Sequence, residues 1–294
     1  MADRVASSPG FDTAVLDYEG HEKRLGSLAL TYRTNEPFPH VVFDHFLADP
    51  IAAVAARQFP FEASGRWTRY RHVNENKAST DRWEDFPPLI ATVVREMNSP
   101  RFLAFLRRLT GIEGLVADPD IEGGGMHQAW RGGFLNVHTD FTMHRVKPHW
   151  RRRCNLILYL NEGWDPAWGG GLEFWDSRME HAARKVDCLL NRAVIFDTPG
   201  AMHGFPDRLT CPDDQSRKSL QWYYYTVDDA APAPGVATTY YARPTESRIK
   251  HLAVGLDNRA LRAYSWAKRR FGLSDRLVSL LMALVSPGKR RRGR

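Results

Sequence analysis

The sequence predicts a mainly β protein with flanking helices, whose core is an antiparallel sandwich or barrel. Beyond residue 120, strand-like runs of four to eight residues recur, separated by Gly, Pro, Asp and Asn. No helical pattern interrupts these runs, which is typical of antiparallel β architectures. Segments with the helical period lie on either side, before residue 118 and after residue 245. The helices are therefore expected to flank the β core and not to alternate with its strands.

The composition favours a folded chain of one large domain or two modest ones. With 294 residues and 43% hydrophobic side chains, the chain can fill a core, which excludes wholesale disorder and a fibrous repeat. No window of 18 apolar residues and no apolar N-terminal signal region is present, so we expect neither a conventional membrane span nor secretion. Three scattered cysteines predict free thiols, a reducing compartment and a cytoplasmic location.

The positive charge is concentrated at one end of the chain. The formal net charge is +7, yet residues 248–294 hold 13 Lys/Arg against 2 Asp/Glu, a net +11, which leaves −4 for the preceding residues. Electrostatic interpretation of partners therefore concerns this C-terminal segment and not the body of the protein.

The first 120 residues predict one strand and three helices. Residues 1–35 are polar without sustained periodicity and are predicted to be loosely held. HVVFDHF reads as a short strand, and Asp49-Pro50 predicts the cap and first turn of the helix IAAVAARQF. After an irregular stretch rich in Arg, Asn and Trp, two amphipathic helices are predicted, PPLIATVVREM and, opened by Ser99-Pro100, RFLAFLRRL.

The remaining elements are six strands and two C-terminal helices. The strands are FLNVHTD, CNLILYL, GLEFW, KVDCLL, AVIFDT and KSLQWYYYTV. The helix NRALRAYSWAKRRF is predicted to end at Gly272 and SDRLVSLLMALV at Pro287, before the final KRRRGR. Three interpretations of this tail stay open: a structural flanking helix with a solvated basic end, peripheral attachment to an anionic membrane, or contact with nucleic acid or another acidic partner.

The sharpest local feature is the pair His138 and Asp140. Residues i and i+2 of a strand face the same side, so the imidazole and carboxylate lie together. Such a pair supplies two of the three ligands of a facial triad, which a distant histidine would complete. The pair alone is a weak signal, and by itself it more often is a hydrogen-bonded histidine beside a surface aspartate.

Four further elements follow this pair in a specific order. They are a YLN-x-x-W segment at 159–164, the glycine run GGGLEFWD, the strand AVIFDT ahead of His203-Gly204, and the R-x-S strand that begins at Arg217. With them, residues 120–227 resemble the 2-oxoglutarate- and Fe(II)-dependent oxygenases, specifically the prolyl 4-hydroxylase-like branch, with weaker similarity back to PFPHVVFDHFL. The resemblance implies a double-stranded β-helix core (a jelly roll, cupin-like), with helices of the N-terminal third packed against one sheet.

The resemblance also implies the site. The metal ligands and catalytic residues expected from it are His138, Asp140 and His203. Arg217 matches the residue that pairs with the distal carboxylate of 2-oxoglutarate, in keeping with the bidentate geometry of a guanidinium. Tyr159 and Ser219 match positions that add hydrogen bonds to this co-substrate. The expected cofactors are Fe(II), 2-oxoglutarate as co-substrate and O2, with ascorbate as an optional reductant.

Two other groups of polar residues are weaker candidates. His127 and Gln128 lie in a strand-like stretch on the side where relatives bind co-substrate; the alternative is a hydrogen-bonded core. The loop after Asp140, FTMHRVKPHWRRR, borders the substrate entrance in relatives. Its positive charge indicates either an anionic or polar substrate group or simply a solvated basic loop.

The activity implied is hydroxylation of an unactivated C–H bond of a small-molecule, carrier-bound or protein substrate, coupled to decarboxylation of 2-oxoglutarate to succinate and CO2. Halogenating relatives have a small residue where Asp140 stands here, so oxidation is favoured over halogenation. Trp130 and Leu135 lie near positions where many prolyl hydroxylase-like members have tyrosines, which argues against a prolyl substrate. The alternatives are a nucleic-acid-directed oxygenase recruited by the tail and a non-catalytic jelly-roll binding module.

The predicted organisation has three parts. Residues 1–35 are a polar N-terminal segment, 36–247 the dioxygenase domain, and 248–294 a basic helical extension. Within the domain, residues 36–118 are the helical part and 119–230 the jelly-roll core. The expected partner is the substrate. We do not expect nucleic acid as a partner, and a membrane or acidic partner would bind through the extension.

Overall fold

The computed structural model describes residues 14–61, 66–228 and 236–271, which form six helices and thirteen strands. The helices are α1 (Tyr18–Lys23), α2 (Leu25–Thr34), α3 (Asp49–Gln58), α4 (Pro88–Met97), α5 (Pro100–Thr110) and α6 (Arg248–Phe271). The strands are β1 (His40–Phe43), β2 (Thr68–Arg71), β3 (Glu75–Thr80), β4 (Leu115–Ala117), β5 (Gly125–Ala129), β6 (Phe134–Thr139), β7 (Trp150–Tyr159), β8 (Leu172–Trp175), β9 (Ala182–Val186), β10 (Ala193–Asp197), β11 (Met202–Phe205), β12 (Arg217–Val227) and β13 (Thr239–Tyr241).

The strands form a single antiparallel system that curls into a nearly closed barrel. Their order is β1-β10-β7-β12-β5-β3-β6-β11-β8-β9, with β13 beside β6, β2 beside β3 and β4 beside β12. Neighbours in space are mostly distant in sequence, as the long connections of a jelly roll require. The predicted jelly-roll fold is confirmed.

One face of this system packs against the N-terminal helices. In β12, Leu220, Trp222 and Tyr224 alternate on this face and are buried in the larger apolar core with side chains of α4 and α5. The Tyr224 hydroxyl donates to the carbonyl of Met97 in α4, at 3.0 Å. Helices of the N-terminal third therefore cover one sheet, as expected.

The opposite face points into the barrel. A second apolar core, which includes Tyr159, Phe174 and Phe205, fills its interior. The side chains of Arg217 and Tyr223 in β12 alternate with the helix-facing ones and so lie on this inner side. Alternate side chains of β12 therefore have different roles: one set packs in the core under the helices, and the other faces the barrel interior.

The prediction that residues 1–35 are loosely held is wrong for the described part, which begins at residue 14. α1 and α2 are ordered helices whose apolar side chains, including Leu25, Leu28 and Tyr32, are buried in the larger core. The side chain of Asp17 caps α1 by accepting from the backbone N–H of Gly20 at 3.0 Å. α1 has only six residues, and α2 carries an apolar residue, Leu30, on its exposed side, so neither helix shows a clear apolar period in the sequence.

The stretch before α4, predicted to be irregular, contains two strands. These are β2 and β3, which pair with each other and place Glu75 and Lys77 at the barrel interior. β3 has the sequence ENKAST, which lacks the apolar alternation of an ordinary strand. Smaller differences are that β9 lies earlier than KVDCLL, and that Ala48 and not Asp49 is the cap of α3.

α6 begins ten residues before the predicted NRALRAYSWAKRRF helix and ends at Phe271, next to the predicted stop. Asn258 of α6 accepts from the backbone N–H of Tyr240 at 2.9 Å and donates to its carbonyl at 2.8 Å. The predicted second helix and the KRRRGR end lie outside the described residues. Among the helices that are described, none combines the length and apolarity needed to cross a bilayer.

Candidate active site

Three potential metal ligands meet inside the barrel. His138 of β6 and His203 of β11 pair directly across the two strands, and Asp140 follows the end of β6. Asp140 Oδ1 lies 3.5 Å from His138 Nε2, and its Oδ2 lies 3.6 Å from His203 Nε2. All ligand atoms lie within 4.8 Å of one another, close enough for one ion to contact all three. The structure therefore brings together the three residues that the sequence predicts as metal ligands.

Backbone hydrogen bonds fix the orientation of both imidazoles. The Nδ1 atom of His138 is 3.0 Å from the carbonyl of Asn136, and that of His203 is 3.0 Å from the carbonyl of Ala201. A carbonyl accepts only, so each Nδ1 carries the proton and each Nε2 presents its lone pair to the centre. Burial, together with the neighbouring His138, lowers the pKa of His203 to about 4. His203 is therefore neutral at physiological pH, as a metal ligand must be.

Asp140 is held by two polar side chains of β7. Asn155 Nδ2 donates to Asp140 Oδ2 at 2.7 Å, and Arg152 Nη2 lies 3.1 Å from the same oxygen. Burial alone would raise the pKa of Asp140, but Arg152 and His203 hold it well below its usual range. The carboxylate is therefore ionised and fixed in orientation, ready to bind a cation.

Arg217 lies at the start of β12, at the far end of the barrel interior. Its Nε donates to the carbonyl of Gly170 at 2.7 Å and its Nη2 to the Tyr159 hydroxyl at 3.3 Å. The guanidinium carbon is 4.1 Å from the centre of the Phe205 ring. Arg217 lines the cavity but is almost wholly buried, so its charge acts in a low-dielectric, water-poor setting.

Gly170 explains part of the glycine run. Its φ of +82° is disfavoured for other residues, and a Cβ there would lie 2.9 Å from Leu209 Cδ2 and 3.0 Å from Arg217 Cδ. Only glycine lets the backbone approach Arg217 closely enough to accept its hydrogen bond. The GGG segment therefore positions the arginine.

The other predicted co-substrate residues have unequal positions. Tyr159 is fully buried and contacts Arg217, and burial raises its pKa to about 12, so its hydroxyl stays protonated. Ser219 is equally buried, and its Oγ accepts from Gln221 Nε2 at 3.3 Å. Neither residue lines the cavity itself, so the structure places them behind Arg217 and the cavity wall.

His127 and Gln128 lie on opposite faces of β5. His127 lines the cavity; its Nε2 donates to the carbonyl of Gly124 at 3.2 Å, and its buried Nδ1 has no hydrogen-bond partner within the described residues. Gln128 donates instead to Ser216 Oγ and to the carbonyl of Pro60. The prediction that Gln128 binds co-substrate is therefore wrong, because adjacent strand residues point to opposite sides.

The cavity around these groups has a volume of about 120 Å³. Sequence reasoning did not single out most of its other polar lining residues, among them Glu75, Lys77, Arg152, Tyr223 and Tyr240. The signal for Tyr223 was present, since it shares the alternation of Arg217 in β12. No signal was present for Arg152, because β7 contains a bulge.

That bulge lies opposite Tyr224 and Tyr225. Tyr224 pairs with Cys154 and Tyr225 with Arg152, so Arg153 is the extra residue. Simple alternation from Asn155 would turn Arg153 inward. The bulge shifts the phase, and Arg152 points inward in its place.

A histidine of the loop after Asp140 has a structural role. His144 is buried, with Nε2 3.1 Å from Asp118 Oδ2, and its Nδ1 is 3.1 Å from the backbone N–H of Lys147. Lys147 itself contacts Asp118. These contacts hold the loop after Asp140 against the segment before β5.

The donor set fits a divalent metal and 2-oxoglutarate. Two imidazoles and one carboxylate on one side of an ion are the 2-His-1-carboxylate arrangement of non-haem Fe(II) sites, which leaves positions for other ligands. Arg217 offers a charge-assisted contact to a carboxylate at the end of the same cavity.

Comparison with known proteins agrees with this geometry. Residues 124–225 match the 2OG-Fe(II) oxygenase superfamily. This stretch includes the three ligand candidates and Arg217. A comparison with curated protein sequences finds no match.

Solved structures share the fold at low identity. A Pseudomonas putida prolyl-4-hydroxylase is 17% identical with a TM-score of 0.50, covering 69% of this chain and 98% of its own. A Trichoplax adhaerens prolyl hydroxylase, solved with a hypoxia inducible factor peptide fragment, is 14% identical with a TM-score of 0.52, covering 70% and 91%. A Phytophthora capsici prolyl 4-hydroxylase is 18% identical with a TM-score of 0.50, covering 87% and 80%.

Proposed function

We propose that this chain is a 2-oxoglutarate-dependent dioxygenase of the 2OG-Fe(II) oxygenase superfamily, whose family model residues 124–225 match, and that it hydroxylates an unactivated C–H bond of its substrate. The observation that carries the proposal is the cluster of His138, Asp140 and His203, whose ligand atoms lie within 4.8 Å of one another in a cavity that ends at Arg217. A binding module without catalysis has no need of this combination.

Each group of the chain has a defined task. The three clustered side chains bind Fe(II), with both histidines oriented by their backbone hydrogen bonds. Arg217 binds the distal carboxylate of 2-oxoglutarate, and Tyr159 holds the guanidinium in place. Leu172, Phe205 and Ile157 add apolar surface to the cavity wall, which disfavours water beside the reactants.

When bound, Fe(II) and 2-oxoglutarate supply the oxidising chemistry, in which O2 is consumed and 2-oxoglutarate becomes succinate and CO2. The chain orients these reactants and the substrate and keeps the cavity dry. Asp140 occupies the ligand position with a carboxylate, which fills the place that a halide would need. This supports hydroxylation as the outcome.

The test is anaerobic titration of the purified protein with Fe(II) and 2-oxoglutarate. We expect a weak visible charge-transfer band, followed by succinate release when air is admitted. His138→Ala and Asp140→Ala should abolish both signals while the far-ultraviolet circular dichroism spectrum is unchanged. A well-folded protein without band or succinate would refute the proposed function, and full turnover by either variant would refute the ligand assignment.

A truncation that tests the role of the basic C-terminal segment has to begin after residue 271 and not at residue 248, where the predicted extension begins. Because Asn258 of α6 binds the backbone of Tyr240, whose ring centre is 5.7 Å from that of His138, removal from residue 248 would disturb the site. Deletion of residues 272–294 leaves these contacts. Unchanged activity and nucleic-acid affinity in that variant would remove the nucleic-acid-directed alternative.

A further inference from the structure

A second arginine lines the cavity near the other end of β12 from Arg217, because Arg152 pairs with Tyr225, eight residues after Arg217. Arg152 is 1% exposed and lines the cavity, with its guanidinium carbon 3.4 Å from the Tyr223 ring centre and 4.5 Å from that of Phe141. Stacking on two aromatic rings fixes the plane of the guanidinium. Its position is therefore defined before any ligand arrives.

The hydrogen-bonding capacity of Arg152 is only partly used. Nε donates to Asn155 Oδ1 at 2.9 Å, and Nη2 is 3.1 Å from Asp140 Oδ2. Neither Nη1 nor Nη2 makes a hydrogen bond of good geometry with another described residue. Buried donors of a charged group are rarely left in this state, because an unmet donor destabilises the fold. An acceptor that the protein does not provide would satisfy it.

A third arginine, Arg145, lies near Arg152 at the mouth of the cavity. Arg145 lines the cavity with a side chain that is 58% exposed, and its guanidinium carbon is 5.3 Å from the Phe141 ring centre. Phe141 is thus flanked by Arg145 and Arg152. Among the described residues, the only ion-pair neighbour of Arg145 is Glu122, whose Oε1 lies 4.0 Å from Arg145 Nε. Arg145 is therefore available to an incoming anion.

The charge balance of the cavity favours an anion after the cofactors bind. Among the described lining residues, Lys77, Arg145, Arg152 and Arg217 face only two carboxylates, Glu75 and Asp140. With His138 and His203 bound as neutral metal ligands, the four cations and two carboxylates leave a surplus of two positive charges. Fe(II) and doubly charged 2-oxoglutarate cancel each other, so the surplus remains for the substrate.

On these grounds, and resting on the proposed function, we propose that Arg152 and Arg145 form a second oxyanion subsite. The part of the substrate that enters the cavity then carries a carboxylate or phosphate group. Because Arg152 touches the ligand candidate Asp140, this group lies near the metal, and the oxidised carbon is close to it in the substrate. The Arg217 end holds the co-substrate carboxylate, and the Arg152 end holds the substrate anion.

The experiment uses the full chain loaded anaerobically with Fe(II) and saturating 2-oxoglutarate, so that the Arg217 end is occupied. Propionate, methylphosphonate and the neutral analogue propionamide are titrated as probes. Binding is read from the shift of the visible band and from ligand-observed NMR saturation transfer. We expect one or both anions to bind at least 10-fold more tightly than propionamide, and the comparison of the two anions distinguishes carboxylate from phosphate.

Three variants locate the effect. Arg152→Gln and Arg145→Gln should each weaken anion binding by about 10-fold, the loss of one charge-assisted contact. Arg131→Gln is the matched control, because Arg131 is equally exposed at 56% but pairs with Asp213 and does not line the cavity. Arg145→Gln keeps the test valid if Arg152→Gln folds poorly.

The outcomes separate this inference from the proposed function. Equal binding of anions and propionamide, or anion binding that is unchanged in Arg145→Gln and in folded Arg152→Gln, would overturn the subsite. Absence of the visible band with Arg-dependent anion binding by NMR would refute the proposed function while leaving the oxyanion subsite intact.

Discussion

The two arginine-bearing ends of the cavity differ in how their guanidinium groups are satisfied. Arg217 donates to Gly170 and Tyr159 and is packed on Phe205, within apolar walls. Arg152 stacks on two aromatic rings and leaves both Nη nitrogens without a well-formed hydrogen bond. The first end is built for one fixed ligand, whereas the second retains donors for a ligand that arrives from the mouth.

This contrast assigns one anion to each end. A co-substrate shared by every turnover suits a site that is enclosed and pre-oriented. A specific substrate suits the end that is reached from the exposed mouth of the cavity, where Arg145 lies.

Arg217→Gln should weaken 2-oxoglutarate binding on the order of 100-fold, because it removes a buried charge-assisted contact to a carboxylate. Fe(II) affinity should be unchanged, since Arg217 does not contact the ligand cluster. Arg217→Lys keeps the charge but cannot donate two parallel hydrogen bonds to a carboxylate. Its affinity for 2-oxoglutarate should lie between those of wild type and Arg217→Gln. Isothermal titration of 2-oxoglutarate measures the effect, and wild-type affinity in Arg217→Gln would contradict the assignment.

Asn155→Leu should lower Fe(II) affinity by about 10- to 100-fold, because Asp140 loses the donor that orients it. Thr198→Val is the matched control, since Thr198 contacts Asn155 and not Asp140. Competition with a metal-binding dye gives both affinities. An effect of Thr198→Val as large as that of Asn155→Leu would show that general packing, and not the bond to Asp140, is responsible.

Gly170→Ala should weaken 2-oxoglutarate binding by about 10-fold, because its Cβ displaces Arg217 from a charge-assisted contact. Gly163→Ala provides the control: Gly163 also has a positive φ, +64°, but nothing lies within 4 Å of its added Cβ. Both variants should lose about 1 kcal/mol of unfolding free energy from the backbone conformation. Equal 2-oxoglutarate affinities in the two variants would contradict the positioning role of Gly170.

Asp118→Asn should affect only the mouth, by loosening the loop that carries His144, Arg145 and Lys147. Burial would raise the pKa of Asp118, but its hydrogen bonds to His144 and Lys147 lower it below the usual range. Its ionised form therefore stabilises the fold at neutral pH, and this stability is lost as the pH falls below about 4.

Urea unfolding should show a deficit of about 2 kcal/mol for Asp118→Asn at pH 7, and the deficit should shrink below about pH 4. Asp120→Asn is the control, since Asp120 also contacts Lys147 but its side chain is 74% exposed. A pH-independent deficit would contradict the ionic role. Weakened 2-oxoglutarate binding in Asp118→Asn would contradict the expectation that this variant affects the cavity mouth and not the Arg217 end.

The sequence assigned a role to Arg217 by position, whereas it indicated the other end of the cavity only through the positive charge of the loop 141–153 and did not single out Arg152. Arg217 and the ligand candidates stand in strands with regular alternation, so their faces follow from position alone. Arg152 faces inward only because Arg153 is bulged, and a bulge depends on pairing with a distant strand. Glu75 and Lys77 lie in a polar strand whose burial is created by the barrel around it.

The fold was predicted more completely than its borders. Long apolar strands and capped helices such as α5, with Ser99 accepting from Phe102, carry their signals locally. α1 and α2 are stabilised by packing on the core and not by a long amphipathic period. The link between Asn258 and Tyr240 joins the C-terminal helix to the site through contacts that no local pattern contains.

The most direct test of the division between the two ends is the 2-oxoglutarate dissociation constant, measured from the anaerobic visible band in three proteins. Wild type and Arg145→Gln should bind 2-oxoglutarate alike, while Arg217→Gln should bind it on the order of 100-fold more weakly. Weakening in Arg145→Gln as large as in Arg217→Gln, or none in Arg217→Gln, would contradict the assignment of the co-substrate to the Arg217 end.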